Sequence, residues 1–322
     1  MAKPVRKQDY SSTSRLATRK LVVPAECAGL RLDQALARLL PEHSRSRLAQ
    51  WVRDERVSLD GRPARPREKV WGGESLHVQP AVDPQVLAHA AQPMPLEIVH
   101  EDAALIVVDK PPGLVVHPGS GNWEGTLLNA LLAHAPALAD VPRAGIVHRL
   151  DKDTSGLLVI AKTLVAQTDL VRQLQARTVT RVYAAVVHGR VEREGKVEAP
   201  IGRHPVNRTR MAVSARGKPA VTHYQVVQRF AAATLLECRL ETGRTHQIRV
   251  HLASLGHPLV GDPVYGRRRT AAAIPDFHRQ ALHARKLALV HPVSGRTMSW
   301  EARLPDDMRE LVANLERTGT PA

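Results

Sequence analysis

Six strand-like runs lie in the chain beyond residue 96: LIVVDK from Leu105, LLVIAK from Leu157, RVYAAVV from Arg181, THYQVVQRF from Thr222, ATLLECRLE from Ala233 and LALVHP from Leu287. Each has the length and bounding residues of a strand. Helical spacing recurs only near Thr126 to His134, Ala166 to Arg177 and Thr245 to Leu255. Strands therefore outnumber helices and often follow one another directly. The expected fold class is α+β with a mixed, largely antiparallel sheet, not a regular βα alternation. No internal repeat is visible, and no apolar run approaches the ~20 residues of a membrane-spanning helix.

At 322 residues the chain has room for two domains, and a smaller unit precedes the large one. In residues 21–80, Leu32, Ala35, Leu36, Leu39 and Leu40 recur at helical spacing until Pro41 ends the run. Ser44 is placed to cap a second helix, with Leu48, Trp51 and Val52 on one face and Arg45, Arg47 and Arg53 largely elsewhere. VSLDGRP and ESLHVQP follow as short strands, with Asp60-Gly61 as the turn. Residues 81–95, rich in Pro and Ala without a sustained period, read as a linker, leaving 96–322 as the larger domain. Residues 1–20 carry Lys3, Arg6, Lys7, Arg15, Arg19 and Lys20 against Asp9, with few large apolar groups, and are expected to form a flexible basic arm.

The formal net charge is +15, and such an excess of Lys and Arg suits a polyanionic partner, because each neutralised phosphate releases counterions. Nucleic acid is the expected partner class. No basic amphipathic segment argues for a membrane surface, and the N-terminus lacks the apolar stretch of a secretory signal, so a cytoplasmic protein is expected. Cys27 and Cys238 lie far apart with no CxxC pair, which argues against a disulfide framework and a thiolate zinc site; both should be buried and inert.

HRLDKDTSGLL, from His148, begins like a calcium loop, but the twelfth position, where a bidentate Glu is required, is Lys162. An aspartyl-phosphate site fails at Ser155, where Thr or Val is needed. A two-carboxylate glycosidase stays open, since Asp151 and Asp153 on an extended segment would be about 6–7 Å apart at the backbone. Gly119, Gly121 and Gly125 form GxGxxxG, one residue too long for a dinucleotide turn and without a P-loop Lys, so they read as a plain strand-to-helix loop. His246 and His251 are five apart, about 500° around a helix, which sends them to different faces and argues against a metal pair. No metal is expected.

A carboxylate with a reference pKa of about 3.9 is already ionised at neutral pH and needs positioning, not a base, to act as a nucleophile. Arg244 stands at the start of an amphipathic helix whose Ile248, Leu252 and Leu255 would face the core, and whose end is marked by Gly256 and Pro258. Its guanidinium could pair with Asp151.

HRLDKDTSGLLVIAK, RVYAAVVHG and TGRTHQIRVHLASLGHPLVGDPVYG resemble, in order, three motifs of the pseudouridine synthases of the RluA family. KPPGLVVHPGSGN and ALHARKLALVHPVSG fit as well, and residues 21–80 resemble the S4 RNA-binding domain, so the similarity covers nearly the whole chain. The resemblance implies a pseudouridine-synthase catalytic domain in which Asp151 is the nucleophile and Arg149 enters the RNA helix in place of the flipped uridine. It implies that Tyr183 packs against the target base and helps take the C5 proton, and that Arg244 pairs with Asp151. Arg181 stands where the family often has Lys, which keeps the positive charge.

VPRAGIVHRLDKDTSG, the RHP at Arg203, MAV at Met211 and GKPAVTHY are similar to a branch acting on large-subunit rRNA, implying a stem-loop at the inter-subunit bridge with several uridines modified. The reaction detaches, turns and reattaches one base without net redox change, so no cofactor is implied. A monomer working on rRNA or its assembly intermediate is expected. Arg45, Arg47, Arg53, Lys3, Arg6 and Lys7 would contact RNA. The scarcity of aromatics, 3% of residues, favours a folded stem-loop over a stacked single strand. Other readings are action on tRNA or another rRNA site, and a non-catalytic S4-type assembly factor.

Overall fold

The computed structural model describes residues 17–81, 88–119, 121–266 and 274–318. Lys3, Arg6, Lys7 and Arg15 lie outside the described residues. The chain divides into two units, Met1–Leu87 and Ala88–Ala322.

The first unit holds a four-stranded sheet in the order β1-β4-β2-β3, formed by Arg19–Val22, Val57–Leu59, Arg62–Pro63 and Ser75–Val78 in chain order. Two helices, α1 (Leu32–Leu39) and α2 (Arg45–Arg53), lie between β1 and β2 in sequence. Ser44 caps α2 by accepting the Arg47 N–H, as expected. Leu32, Leu36, Leu48, Trp51, Val57, Leu76 and Val78 close a single core. Arg19 and Lys20 belong to β1, paired with Val78 and His77, so the end of the expected arm is a strand. The three expected RNA-facing arginines also hold the unit together. Arg45 shares the buried Asp33 carboxylate with Arg31, Arg47 donates to the Ala81 carbonyl while lying over the Trp51 ring, and Arg53 bonds Gln50.

The second unit is built on a nine-stranded sheet. Its strands are β5 (Glu97–Glu101), β6 (Leu105–Lys110), β7 (Ser155–Ala161), β8 (Thr180–His188), β9 (Gly195–Glu198), β12 (Val221–Arg229), β13 (Ala233–Leu240), β14 (Leu282–Val290) and β15 (Thr297–Glu301). They run in the order β5-β6-β7-β14-β8-β13-β12-β9, with β15 beside β14. Only β7 and β14 pair in parallel; the other pairings are antiparallel. A separate hairpin pairs β10 (Ile201–Arg203) with β11 (Met211–Val213).

β6, β7 and β8 lack polar alternation because both faces of the sheet are covered there, whereas β12 alternates toward solvent. Ile106, Val108, Leu158 and Ile160 join a core with α3 (Leu127–His134) and α5 (Gln247–Ser254). Leu105, Val107, Leu157 and Val159 face the other way, toward Ala166 and Leu170 of α4 (Leu164–Gln175), and α6 (Asp306–Thr318) packs Met308 and Leu311 against Val186. Part of the expected linker is bound into this unit, since Asn129 on α3 donates to Ala90 O and accepts from Gln92 N. Cys27 and Cys238 are buried free thiols, and burial pushes Cys238 up to about 12.

One helix departs from expectation. It begins at Gln247, not Thr245, because His246 has φ 56°, which no right-handed helix accommodates. It is also not amphipathic: Gln247 through Leu252 are all buried, while Leu255 stays 43% exposed.

Candidate active site

Asp151 precedes β7, at the centre of the sheet. The row Gly156–Ala284–Tyr183–Cys238 runs across β7, β14, β8 and β13, and brings Tyr183 level with the start of β7. Gly156 makes this possible: at φ 112°, an added Cβ would sit 2.4 Å from the Ala284 carbonyl oxygen.

Buried polar groups fix the loop of Asp151. The Thr154 N–H donates to Asp151 O, closing a turn. Lys110, 1% exposed at the end of β6, donates to the carbonyls of Pro111, Leu114 and Lys152. Arg279 donates to Asp153 O, Gln280 to Thr154 Oγ1, and Ser155 Oγ meets His283 Nδ1 at 3.0 Å. His148 accepts the Val159 N–H through Nε2; burial, reinforced by the Arg181 charge, pushes it down to about 3, so it is neutral.

The guanidinium paired with Asp151 is that of Arg249, not Arg244. Arg249 Nη1 donates to Asp151 Oδ2 at 2.9 Å, while its Nε and Nη2 grip Asp262 at 2.8 and 2.9 Å. The Asp262 side chain is fully buried. Burial works against its charge, yet Arg249 and the N–H groups of Val264 and Tyr265 hold its carboxyl below the usual range. Arg244 lies before the helix, and its Nε donates to the Pro219 carbonyl. The reason is local: Gln247 accepts from Arg244 N and Thr242 Oγ1 and donates to Val221 O and Thr222 Oγ1, anchoring the turn so that Arg249, two residues into α5, reaches the loop. An arginine among Ile248, Val250 and Leu252 was the missed signal, since a charge on a buried stretch of helix must find a partner.

Asp151 opens into a cleft of about 840 Å³ lined by six arginines, Arg143, Arg149, Arg177, Arg181, Arg244 and Arg249, with Tyr183 beside them. Among the lining residues the carboxylates are Asp151 and Glu241; Asp153 is not one of them, which removes the two-carboxylate arrangement. Such a positive concavity concentrates a polyanion. Arg149 is exposed within it. Tyr183 is buried, and burial raises its phenol above the ordinary value, with the Asp151 charge adding and Arg181 opposing, so it is protonated at neutral pH. His246 and His251 do part, as their spacing required. His251 is spent on Thr222 and Ala199 in the interior, whereas His246 faces the cleft.

Residues 104–254 match the family model described as RNA pseudouridylate synthase, and residues 30–76 match the S4 domain. With a relative 62% identical over 92% of its length, the chain belongs to the RNA pseudouridine synthase family and is an RNA pseudouridine synthase behind an S4 domain. That relative, from Nitrosomonas europaea, is named ribosomal large subunit pseudouridine synthase D, and 87% of it is covered. Proteins of the same name from Pseudomonas aeruginosa and Escherichia coli K12 are each 53% identical, over 94% and 88% of this chain and 98% and 90% of theirs. Human RNA pseudouridylate synthase domain containing 4 shares its fold, at TM-score 0.54 and 26% identity over 68% of this chain and 93% of that one.

Proposed function

We propose that this enzyme isomerises uridines of large-subunit rRNA, several of them in the inter-subunit-bridge stem-loop, with Asp151 as nucleophile. The observation that carries the reading is the cleft carboxylate of Asp151, held by Arg249 at 2.9 Å and surrounded by arginines. The names of the relatives support the substrate. A base stacked in a helix is out of reach of Asp151, so the target uridine is flipped, at a cost of a few kcal/mol. Arg149, exposed in the cleft, is the group to fill the gap. Tyr183 packs against the flipped base; as a protonated phenol it is a poor base for the C5 proton. The S4 domain and the basic arm bind RNA, and rRNA as substrate implies work in the cytoplasm.

Asp151→Ala should abolish turnover while leaving RNA affinity nearly unchanged, measured by tritium release from [5-³H]uridine RNA and by filter binding; persisting isomerisation would refute the nucleophile. Pseudouridine maps from cells with and without the gene test the substrate. Loss confined to tRNA would overturn it.

A further inference from the structure

Arg249 occupies only one oxygen of Asp151. The other, Oδ1, faces His246 Nε2 at 3.9 Å. His246 is held there at φ 56°, a left-handed conformation rare for a residue with a Cβ, and such strain persists where surrounding contacts over-determine it.

Those contacts favour one tautomer. The Met211 backbone N–H donates to Tyr265 Oη at 2.9 Å, and a backbone amide can only donate. The phenol is therefore the acceptor in that bond, and its own hydrogen remains to be given. His246 Nδ1 lies 2.9 Å away. With that hydrogen given to Nδ1, a neutral ring carries its own on Nε2, the atom turned toward Asp151. The Tyr265 ring is fixed in turn, edge-on to His246 and with Arg210 and Arg249 over it.

We propose that His246 is a positioning residue for the reaction: a neutral Nε2–H imidazole, oriented by Tyr265, that holds the Asp151 oxygen left free by Arg249. The proposal rests on Asp151 being the reacting carboxylate. The 3.9 Å gap exceeds a hydrogen bond, as catalytic contacts in free enzymes often do, and closes when RNA fills the cleft. With both oxygens held, the carboxylate presents one orientation to the ribose or base. The groups facing His246 are Asp151 and Arg149 from the loop before β7, Arg249 from α5, Asp262 and Tyr265 from the loop after α5, and Arg210, beside β11, through the Tyr265 ring. Burial lowers its pKa, Arg249 and Arg149 add to that, and Asp151 and Asp262 oppose, leaving it below the ordinary value and neutral at physiological pH.

The test uses the full-length protein and a large-subunit rRNA transcript. His246→Leu removes the donor and should lower kcat by about 10- to 100-fold with KM within about twofold. His246→Asn, which tolerates a left-handed backbone but is too short to reach Asp151, should fall equally, showing that the imidazole matters and not the backbone. His246→Gln carries an amide N–H near the Nε2 position and does not titrate. It should recover most of kcat and lose the acidic limb contributed by the imidazole. In ¹⁵N-histidine spectra the His246 signal should report the Nε2–H tautomer in the wild type and a mixture in Tyr265→Phe. Wild-type kcat in His246→Asn, or an Nδ1–H tautomer in the free enzyme, would overturn the proposal. Turnover surviving in Asp151→Ala would instead remove the reading beneath it.

Discussion

Replacing Arg249 with leucine separates two arginines that lie five residues apart in one motif. The Asp262 side chain has no accessible surface, and Arg249 supplies both of its guanidinium bonds. Without that partner the carboxylate is stranded in the interior, a loss of about 3–5 kcal/mol. In a unit of this size each kcal/mol moves Tm by about 2–4 °C, so Tm should fall by about 6–20 °C. Asp151 loses a charge-assisted bond worth about 1.5–3 kcal/mol, which lowers kcat by about 10- to 100-fold. Arg244→Leu is the contrast. It loses one bond to a carbonyl at the cleft wall, and its Tm should change by the equivalent of about 0.5 kcal/mol or less. Arg249→Leu combined with Asp262→Leu should regain part of the stability, since no charge is stranded, but not turnover. Calorimetric melts and tritium release measure both quantities. If Arg244→Leu matched Arg249→Leu in the two assays, or Arg249→Leu melted with the wild type, the assignment of Arg249 as the partner of Asp151 and Asp262 would be wrong.

Gly156→Ala should cost more than about 3 kcal/mol and part β7 from β14, because the new methyl meets Ala284 backbone at 2.4 Å and φ 112° excludes side chains; an unchanged urea midpoint would contradict this. Acid should destabilise the protein from about pH 6.5 downward. His148, held near 3, and His283, held near 4 by burial, take up protons in the unfolded chain first, costing on the order of 3 kcal/mol each by pH 4. Asp109, pushed up to about 6 by burial, works in the opposite sense and offsets part of one histidine. Urea midpoints that stay flat from pH 6.5 to 4.5 would rule this out, and His148→Asn should make the slope shallower. Removing residues 1–16 takes away Lys3, Arg6, Lys7 and Arg15 but spares β1, and should weaken rRNA binding and reduce its salt slope by about 3. An identical slope in the truncated protein would show that the arm does not touch RNA.

Local order was legible in the chain wherever a local cause governs it. The run LIVVDK is β6, with the same ends, because its first four residues, buried on both faces, are all apolar and its last two are charged. Pro41 and Ser44 separate α1 from α2 by local chemistry, a ring that cannot continue a helix and a hydroxyl that caps the next one. The metal and phosphate templates failed for the motif as a whole, its resemblance to the family singled out Asp151, and Asp151 does lie in the arginine-lined cleft.

Which arginine meets Asp151 was not a local matter. Arg244 and Arg249 are both plausible on charge, and the choice depends on where the helix begins. That depends on a left-handed His246 and on four bonds from Gln247 to strand residues and the turn. Likewise the parallel pairing of β7 with β14 joins segments more than a hundred residues apart, and Lys110 reaches the Asp151 loop from β6. The sequence by itself determined the elements and the excess of positive charge, because propensity, periodicity and composition are properties of neighbours along the chain, and the resemblance of its motifs singled out Asp151. Only the tertiary structure decided that Arg249 is the partner of that carboxylate and that His246 lies beside it, because burial and side-chain direction arise when distant segments pack.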